Sequence, residues 1–219
     1  MPALLFDLDG TMLNSDPIHL QVYKEMWAAR GMDLTDDGYM THMHGRLNVD
    51  IYAEFLPDEP DHQGLSEWKE AQFRERLPRP YPPMPGVETL VARAVAEDWP
   101  RAIVTNAMRL NAEAMLGAIG LRDAFEVIVI GEECPRGKPD PYPYQEAMRQ
   151  LGVTPNQAVA FEDSPSGARA ARSSGAYTVG IRSSLDDRTL RQAGAHVTLQ
   201  DFNDPALPDI LERFKGVAA

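Results

Sequence analysis

Phe6-Asp7-Leu8-Asp9-Gly10-Thr11 closes the apolar run that begins at Ala3, and its reading decides the fold. Ala3, Leu4, Leu5 and Phe6 are apolar without alternation, the pattern of a short strand buried on both faces of a helix-covered parallel sheet. Asp7 and Asp9 follow at i and i+2, so their side chains start on the same side of the chain before it turns. Asp7 thus falls at the carboxyl end of a strand, outside which open parallel sheets gather their ligands.

Downstream, short β-branched or apolar runs alternate with longer helical patterns, which makes the class α/β. Strands are expected at 101–105, 126–130, 158–161, 177–181 and 195–199. Helices between them span 111–119, 141–151 and 166–174, closed by Gly120, Gly152 and Gly175, and each fits a right-handed crossover. The stretch 14–85 breaks this rhythm with helical patterns and no convincing strand. Ile18, Tyr23, Met26 and Trp27 recur at helical spacing, and Leu47, Ile51, Phe55 and Leu65, Trp68, Phe73 suggest two more amphipathic segments whose aromatics form a core. Asn14-Ser15-Asp16-Pro17 and the proline-rich stretch 78–86 mark its ends with extended, semi-rigid connections. The expected organisation is a parallel-sheet core at 1–13 and 86–219, with a helical cap inserted at 14–85 as a hinged lid.

A chain of 219 residues suits one full domain plus such an insert. The 33 acidic against 21 basic residues give a net charge of -12, which repels a phosphate backbone and argues against a nucleic-acid partner. Cys134 is the only cysteine, so no internal disulfide can form, and the first residues lack the basic and long apolar regions of a signal peptide. A cytoplasmic location is expected. The apolar run 127–130 is only strand-length, so no membrane partner is expected, and without an exposed heptad the default state is a monomer.

Glu162-Asp163 follows the strand at 158–161 and therefore shares the sheet edge of Asp7 and Asp9. Four carboxylates crowded together oppose one another's ionisation unless a cation compensates, and hard oxygen ligands with room for water suit Mg²⁺. Thr105 and Asn106 end another strand before a helix, where a hydroxyl, an amide and free N–H groups can face an anion. Lys138, in Gly137-Lys138-Pro139-Asp140-Pro141, can add a positive charge to the same cradle. Ser164, ahead of Pro165, reads as a helix cap. His42 and His62 show no paired ligand spacing that would point to zinc and are expected to face solvent.

Taken in order, Asp-Leu-Asp-Gly-Thr, Thr105, Lys138 in Gly-Lys-Pro-Asp-Pro, and Glu162-Asp163-Ser164 resemble the four motifs of the haloacid dehalogenase-like (HAD) hydrolase superfamily, and the likeness covers nearly the whole chain. The resemblance implies a Rossmann-like core with an α-helical cap of the β-phosphoglucomutase and phosphoglycolate phosphatase type. It further implies that Asp7 is a nucleophile forming an aspartyl-phosphate and that Asp9 is the acid/base, meeting the metal only through its backbone carbonyl. Asp163 would be the remaining protein ligand of Mg²⁺, and Glu162 would act through metal-bound water, with Ser164 beside it outside the reacting groups. Thr105, the Asn106 backbone and Lys138 would hold the transferring oxygens.

By the same resemblance His19 stands where β-phosphoglucomutase relatives carry a histidine near the hinge, able to touch Asp9 or simply packed. His44, Arg46 and Asn48 lie in a loop like the family's specificity loop, with Gly45 at its turn. The activity implied is hydrolysis of small phosphate monoesters, sugar phosphates or phosphoglycolate-like. A sugar-phosphate mutase is the alternative, but Ala107 and Met108 stand where mutases carry polar residues that grip a second phosphate. Dehalogenation is disfavoured by Asp9, and a silent binding module by the presence of every motif residue.

Overall fold

The computed structural model describes residues 1–216. The chain runs β1 (Ala3–Phe6), α1 (Asp16–Ala28), α2 (Asp36–His42), α3 (Asn48–Phe55), α4 (His62–Arg76), α5 (Val87–Ala96), β2 (Arg101–Thr105), α6 (Arg109–Ala118) and β3 (Val127–Ile130). It continues with α7 (Tyr142–Leu151), β4 (Ala158–Glu162), α8 (Pro165–Ser173), β5 (Tyr177–Ile181), α9 (Asp187–Ala193), β6 (Val197–Leu199) and α10 (Leu207–Glu212). The six strands are parallel in the order β3-β2-β1-β4-β5-β6. That is the Rossmann-like order, and its switch point lies between β1 and β4.

Alternate strand residues feed two cores. Leu4 and Phe6 join Ile103, Phe161 and Val179 on one face, under α5, α6 and α10. Leu5, Ala102, Val104 and Ala160 face Tyr144, Ala147 and Met148 of α7 and Ala170 and Ala171 of α8 on the other. Phe6 and Phe161, register partners across the switch point, stack at 5.1 Å and hold the two strand ends side by side. Gly120, Gly152 and Gly175 adopt positive φ beyond the ends of α6, α7 and α8.

Between β1 and α5 the chain is helical. Tyr23, Met26, Trp27, Tyr39, Met43, Ile51 and Tyr52 pack as a core separate from the sheet's. Phe73 instead joins the sheet's core, and Trp68 is 47% exposed, so it is not the core residue expected. Its position on the outer side of α4 follows from the helix phase, which buries Ser66, Lys69, Glu70 and Phe73. The short helix α2 was not anticipated; Tyr39 is its only buried residue, so it offers no apolar period to read. Its start is held by Thr35, whose hydroxyl accepts from Gly38 N at 3.0 Å. The two connections to the sheet run together, with Met84 N donating to Met12 O at 2.7 Å and Tyr81 Oη to Asn14 O at 2.7 Å. No helix among the described residues is long and apolar enough to cross a membrane.

Candidate active site

The carboxyl ends of β1 and β4 place Asp7, Glu162 and Asp163 so that one oxygen of each lies within 4.8 Å of the others, all buried. Lys138 enters from the loop before α7, and its Nζ donates to Asp7 Oδ1 and Glu162 Oε1, both at 2.6 Å. Tyr144 Oη also donates to Glu162 Oε1 at 2.6 Å. Burial pushes the Asp7 carboxyl up to about 7, with the Lys138 ammonium opposing and Asp163 adding to the rise. Glu162 is likewise raised by burial to about 7, against the pull of Lys138. Asp163 is raised for the same reason, with His44 opposing. Three buried carboxylates, two of them on the Lys138 ammonium and the third facing His44, offer clustered oxygen donors that suit a hard divalent cation.

The fourth expected carboxylate stands apart. Asp9 lines the same pocket without joining the trio, its Oδ1 accepting from Ser15 Oγ at 2.5 Å and meeting His19 Nε2 at 3.1 Å. The chain then turns at Gly10 (φ 72°), directly against Asp163. A Cβ at Gly10 would lie 2.0 Å from Asp163 Oδ2, so only glycine lets the loop pass this close. His19 lies flat on Phe73, ring centres 3.9 Å apart, and its Nδ1 is 2.7 Å from Lys69 Nζ. An ammonium can only donate, so Nδ1 accepts and Nε2 carries the proton toward Asp9.

Thr105 and Asn106 line the same pocket at the end of β2, but their side chains are partly spoken for. Thr105 Oγ1 accepts from Ala107 N at 3.0 Å. The Asn106 amide accepts from Lys138 N and donates to Lys138 O, at 3.0 and 3.1 Å, and so fastens the Lys138 loop to β2 rather than facing an anion. Ser164 caps α8, its Oγ accepting from Gly167 N at 3.0 Å.

The helical segment roofs this edge. His44 Nε2 lies 3.2 Å from Asp16 Oδ2 and 3.5 Å from Asp163 Oδ2. Burial alone would lower its pKa, yet the two carboxylates push it up to about 11, so the ring is cationic. Arg46 lines the pocket but binds His42 O and Glu54 at 2.7 and 2.8 Å. Asn48 is buried, accepting from Tyr23 Oη at 2.5 Å and donating to Ser66 Oγ at 2.9 Å and Glu70 Oε1 at 2.6 Å. His42 is exposed as expected, whereas His62 is half-buried against Tyr52, with Nε2 2.9 Å from Leu56 O.

Gly45 (φ 71°) brings the roof against the sheet edge, since a Cβ there would stand 2.8 Å from the Ser164 Cβ. Gly45→Ala is therefore expected to hold the roof off and to strain the turn by ~1–2 kcal/mol. On turnover measurements this should appear as a fall in kcat/KM of about tenfold.

Asp16, Lys69, Glu70, Asn111 and Tyr144 also belong to this site or its support and were missed in the sequence. For Lys69 and Glu70 a signal existed: with Ser66 and Phe73 they fall on one helical stripe, so polar residues occupy the buried phase.

The chain belongs to the haloacid dehalogenase-like hydrolase family, whose sequence pattern it matches over residues 4–181. It is 30% identical over 212 residues to validoxylamine A 7'-phosphate phosphatase of Streptomyces hygroscopicus subsp. limoneus, covering 94% of this chain and 96% of that one. A phosphorylated carbohydrates phosphatase of Thermotoga maritima is 30% identical over 203 residues, 89% of this chain and 92% of the relative. Among solved structures, a HAD hydrolase of family IA, variant 3, from Entamoeba histolytica HM-1:IMSS superposes with a TM-score of 0.87 at 27% identity, covering 98% of this chain and all of that one.

Proposed function

We propose that the protein is a Mg²⁺-dependent phosphatase that hydrolyses small phosphate monoesters through an aspartyl-phosphate on Asp7. The observation that carries this reading is the separation of the two aspartates. Asp7 sits in the buried trio beside Lys138, while Asp9 is held outside it by Ser15 and His19. One is equipped to attack and the other to carry a proton. In this reading residues 1–13 and 86–219 form the catalytic core and 14–85 the cap, working as a cytoplasmic monomer.

Asp7 and Asp163, with the Asp9 carbonyl, would hold Mg²⁺, which supplies charge neutralisation between a carboxylate nucleophile and an anionic ester. An Asp7 oxygen attacks phosphorus as the bond to the ester oxygen breaks, and Asp9 protonates the departing alkoxide. Asp9 then takes a proton from water as the water attacks phosphorus, and the bond from phosphorus to Asp7 breaks. Lys138, the Thr105 hydroxyl and the Asn106 backbone position the phosphoryl oxygens, since this chemistry depends chiefly on orientation and charge. Glu162, bonded to Lys138 and Tyr144, keeps the ammonium aimed.

Metal and pH are linked. Asp7 and Glu162, raised from 3.8 and 4.5 to about 7, retain protons in the folded state that the unfolded chain has lost. Stability from these groups therefore falls as pH rises from about 4 to about 7. Thermal melts in chelator should show that decline, and saturating Mg²⁺ should raise the midpoint more at about pH 8 than at about pH 5.5, by roughly 5 °C. A metal effect independent of pH would contradict the placement of the ion at this trio.

The functional test is phosphate release from hexose and hexitol monophosphates, phosphoglycolate and p-nitrophenyl phosphate, with and without Mg²⁺. Metal-dependent release is expected; release from none of them would overturn the reading.

A further inference from the structure

The half of the pocket that would receive the leaving group is governed by a buried ion pair on α4. Lys69 Nζ lies 2.7 Å from Glu70 Oε1, and both side chains are almost wholly enclosed. Glu70 is also held from two other helices: Asn48, on α3, donates to Oε1 at 2.6 Å, and Asn111, on α6, donates to Oε2. Arg74 in turn fixes the Asn111 amide at 2.6 Å, so the carboxylate cannot swing away from its partner. Burial would raise the Glu70 carboxyl, but Lys69 first and then Asn48 bring it down to about 2, so it is ionised.

The other cations that line this half of the pocket also have carboxylate partners, His44 in Asp16 within the fold and Arg46 in Glu54 nearer the surface. A second phosphate or a carboxylate on the substrate would meet no cation without a carboxylate partner among the lining residues of this half, Arg74 standing behind Asn111. It would instead face the fixed charge of Glu70 in a poorly solvated space. The pair does suit hydroxyl groups, because Lys69 and Glu70 each retain part of their donor and acceptor capacity beyond the bonds named.

We propose that Glu70 is a specificity-determining residue that cancels Lys69 and excludes doubly anionic substrates, so that the ester hydrolysed is a monophosphate with an uncharged polyol leaving group. This rests on the phosphatase reading and deepens it.

The test compares kcat/KM, with Mg²⁺, for a hexitol monophosphate, a ketose bisphosphate and phosphoglycolate in the wild type, Glu70→Gln and the charge-neutral double variant Lys69→Met/Glu70→Gln. The wild type is expected to favour the hexitol ester over both anionic ones by at least about tenfold. Glu70→Gln should shrink that preference about tenfold, mainly through a lower KM for phosphoglycolate, while the double variant regains it.

A wild type that prefers phosphoglycolate or the bisphosphate, or a preference unmoved in Glu70→Gln, would overturn the inference. Should Glu70→Gln fail to fold by circular dichroism, the wild-type ratio and the double variant decide it. Release from no ester, p-nitrophenyl phosphate included, would instead overturn the phosphatase reading.

Discussion

Asp7→Asn lowers kcat/KM toward any phosphate monoester by about 10⁴-fold or more, because a neutral amide cannot supply the nucleophilic oxygen. The fold should survive. Asparagine matches aspartate in shape, and its amide oxygen can still accept from Lys138 Nζ, now 2.6 Å from Asp7 Oδ1. Burial already disfavours the charge, so the melting temperature is expected to stay level or rise. Steady-state rates with a circular dichroism melt decide the matter, and an Asp7→Asn enzyme within tenfold of wild type would remove Asp7 from the chemistry.

The largest stability effect belongs to Lys138→Met. Lys138 is 6% exposed and its ammonium bridges Asp7 and Glu162, so its loss leaves two buried carboxylates without their shared counter-charge. Breaking a buried pair from one side costs ~3–5 kcal/mol, or roughly 10 °C in melting temperature for a chain of this size. Both carboxyls would then climb further in pKa and take up protons at neutral pH. In chelator the penalty should therefore grow from about pH 6 to about pH 8, where the wild-type carboxyls, near 7, ionise beside Lys138 while those of the variant keep their protons. Activity should fall as well, since the same ammonium faces the phosphoryl oxygens in the proposed mechanism. A variant as stable as wild type at high pH would contradict the geometry.

Much of the sheet was legible because buried parallel strands write themselves as unbroken apolar runs. The sheet's register then brings residues far apart in the chain, such as Asp7 and Glu162, to one edge. The direction of Asp9 was not legible, because its carboxylate is held by Ser15 and His19, contacts that the i, i+2 spacing does not encode. Asn106 was read as facing an anion, whereas its amide clasps the Lys138 loop, a contact between residues 32 apart that no local pattern encodes. Lys69 and Glu70 escaped for another reason: charged residues on a helix are ordinarily the solvent face, and only their shared phase with Phe73 marks them as buried. Trp68 misled in the opposite sense, since its size suggested core while its phase put it outside.

The most direct test of the account is a rapid acid quench of Asp9→Asn turning over p-nitrophenyl phosphate with Mg²⁺, followed by mass spectrometry of its peptides. Nitrophenolate leaves without needing a proton, so Asp7 can still be phosphorylated, whereas water attack lacks its base and the covalent species accumulates. A stoichiometric burst of nitrophenolate and one phosphoryl group on Asp7 are expected. A phosphoryl group on another residue, or neither a burst nor a modified Asp7 while the wild type hydrolyses the same ester, would contradict it.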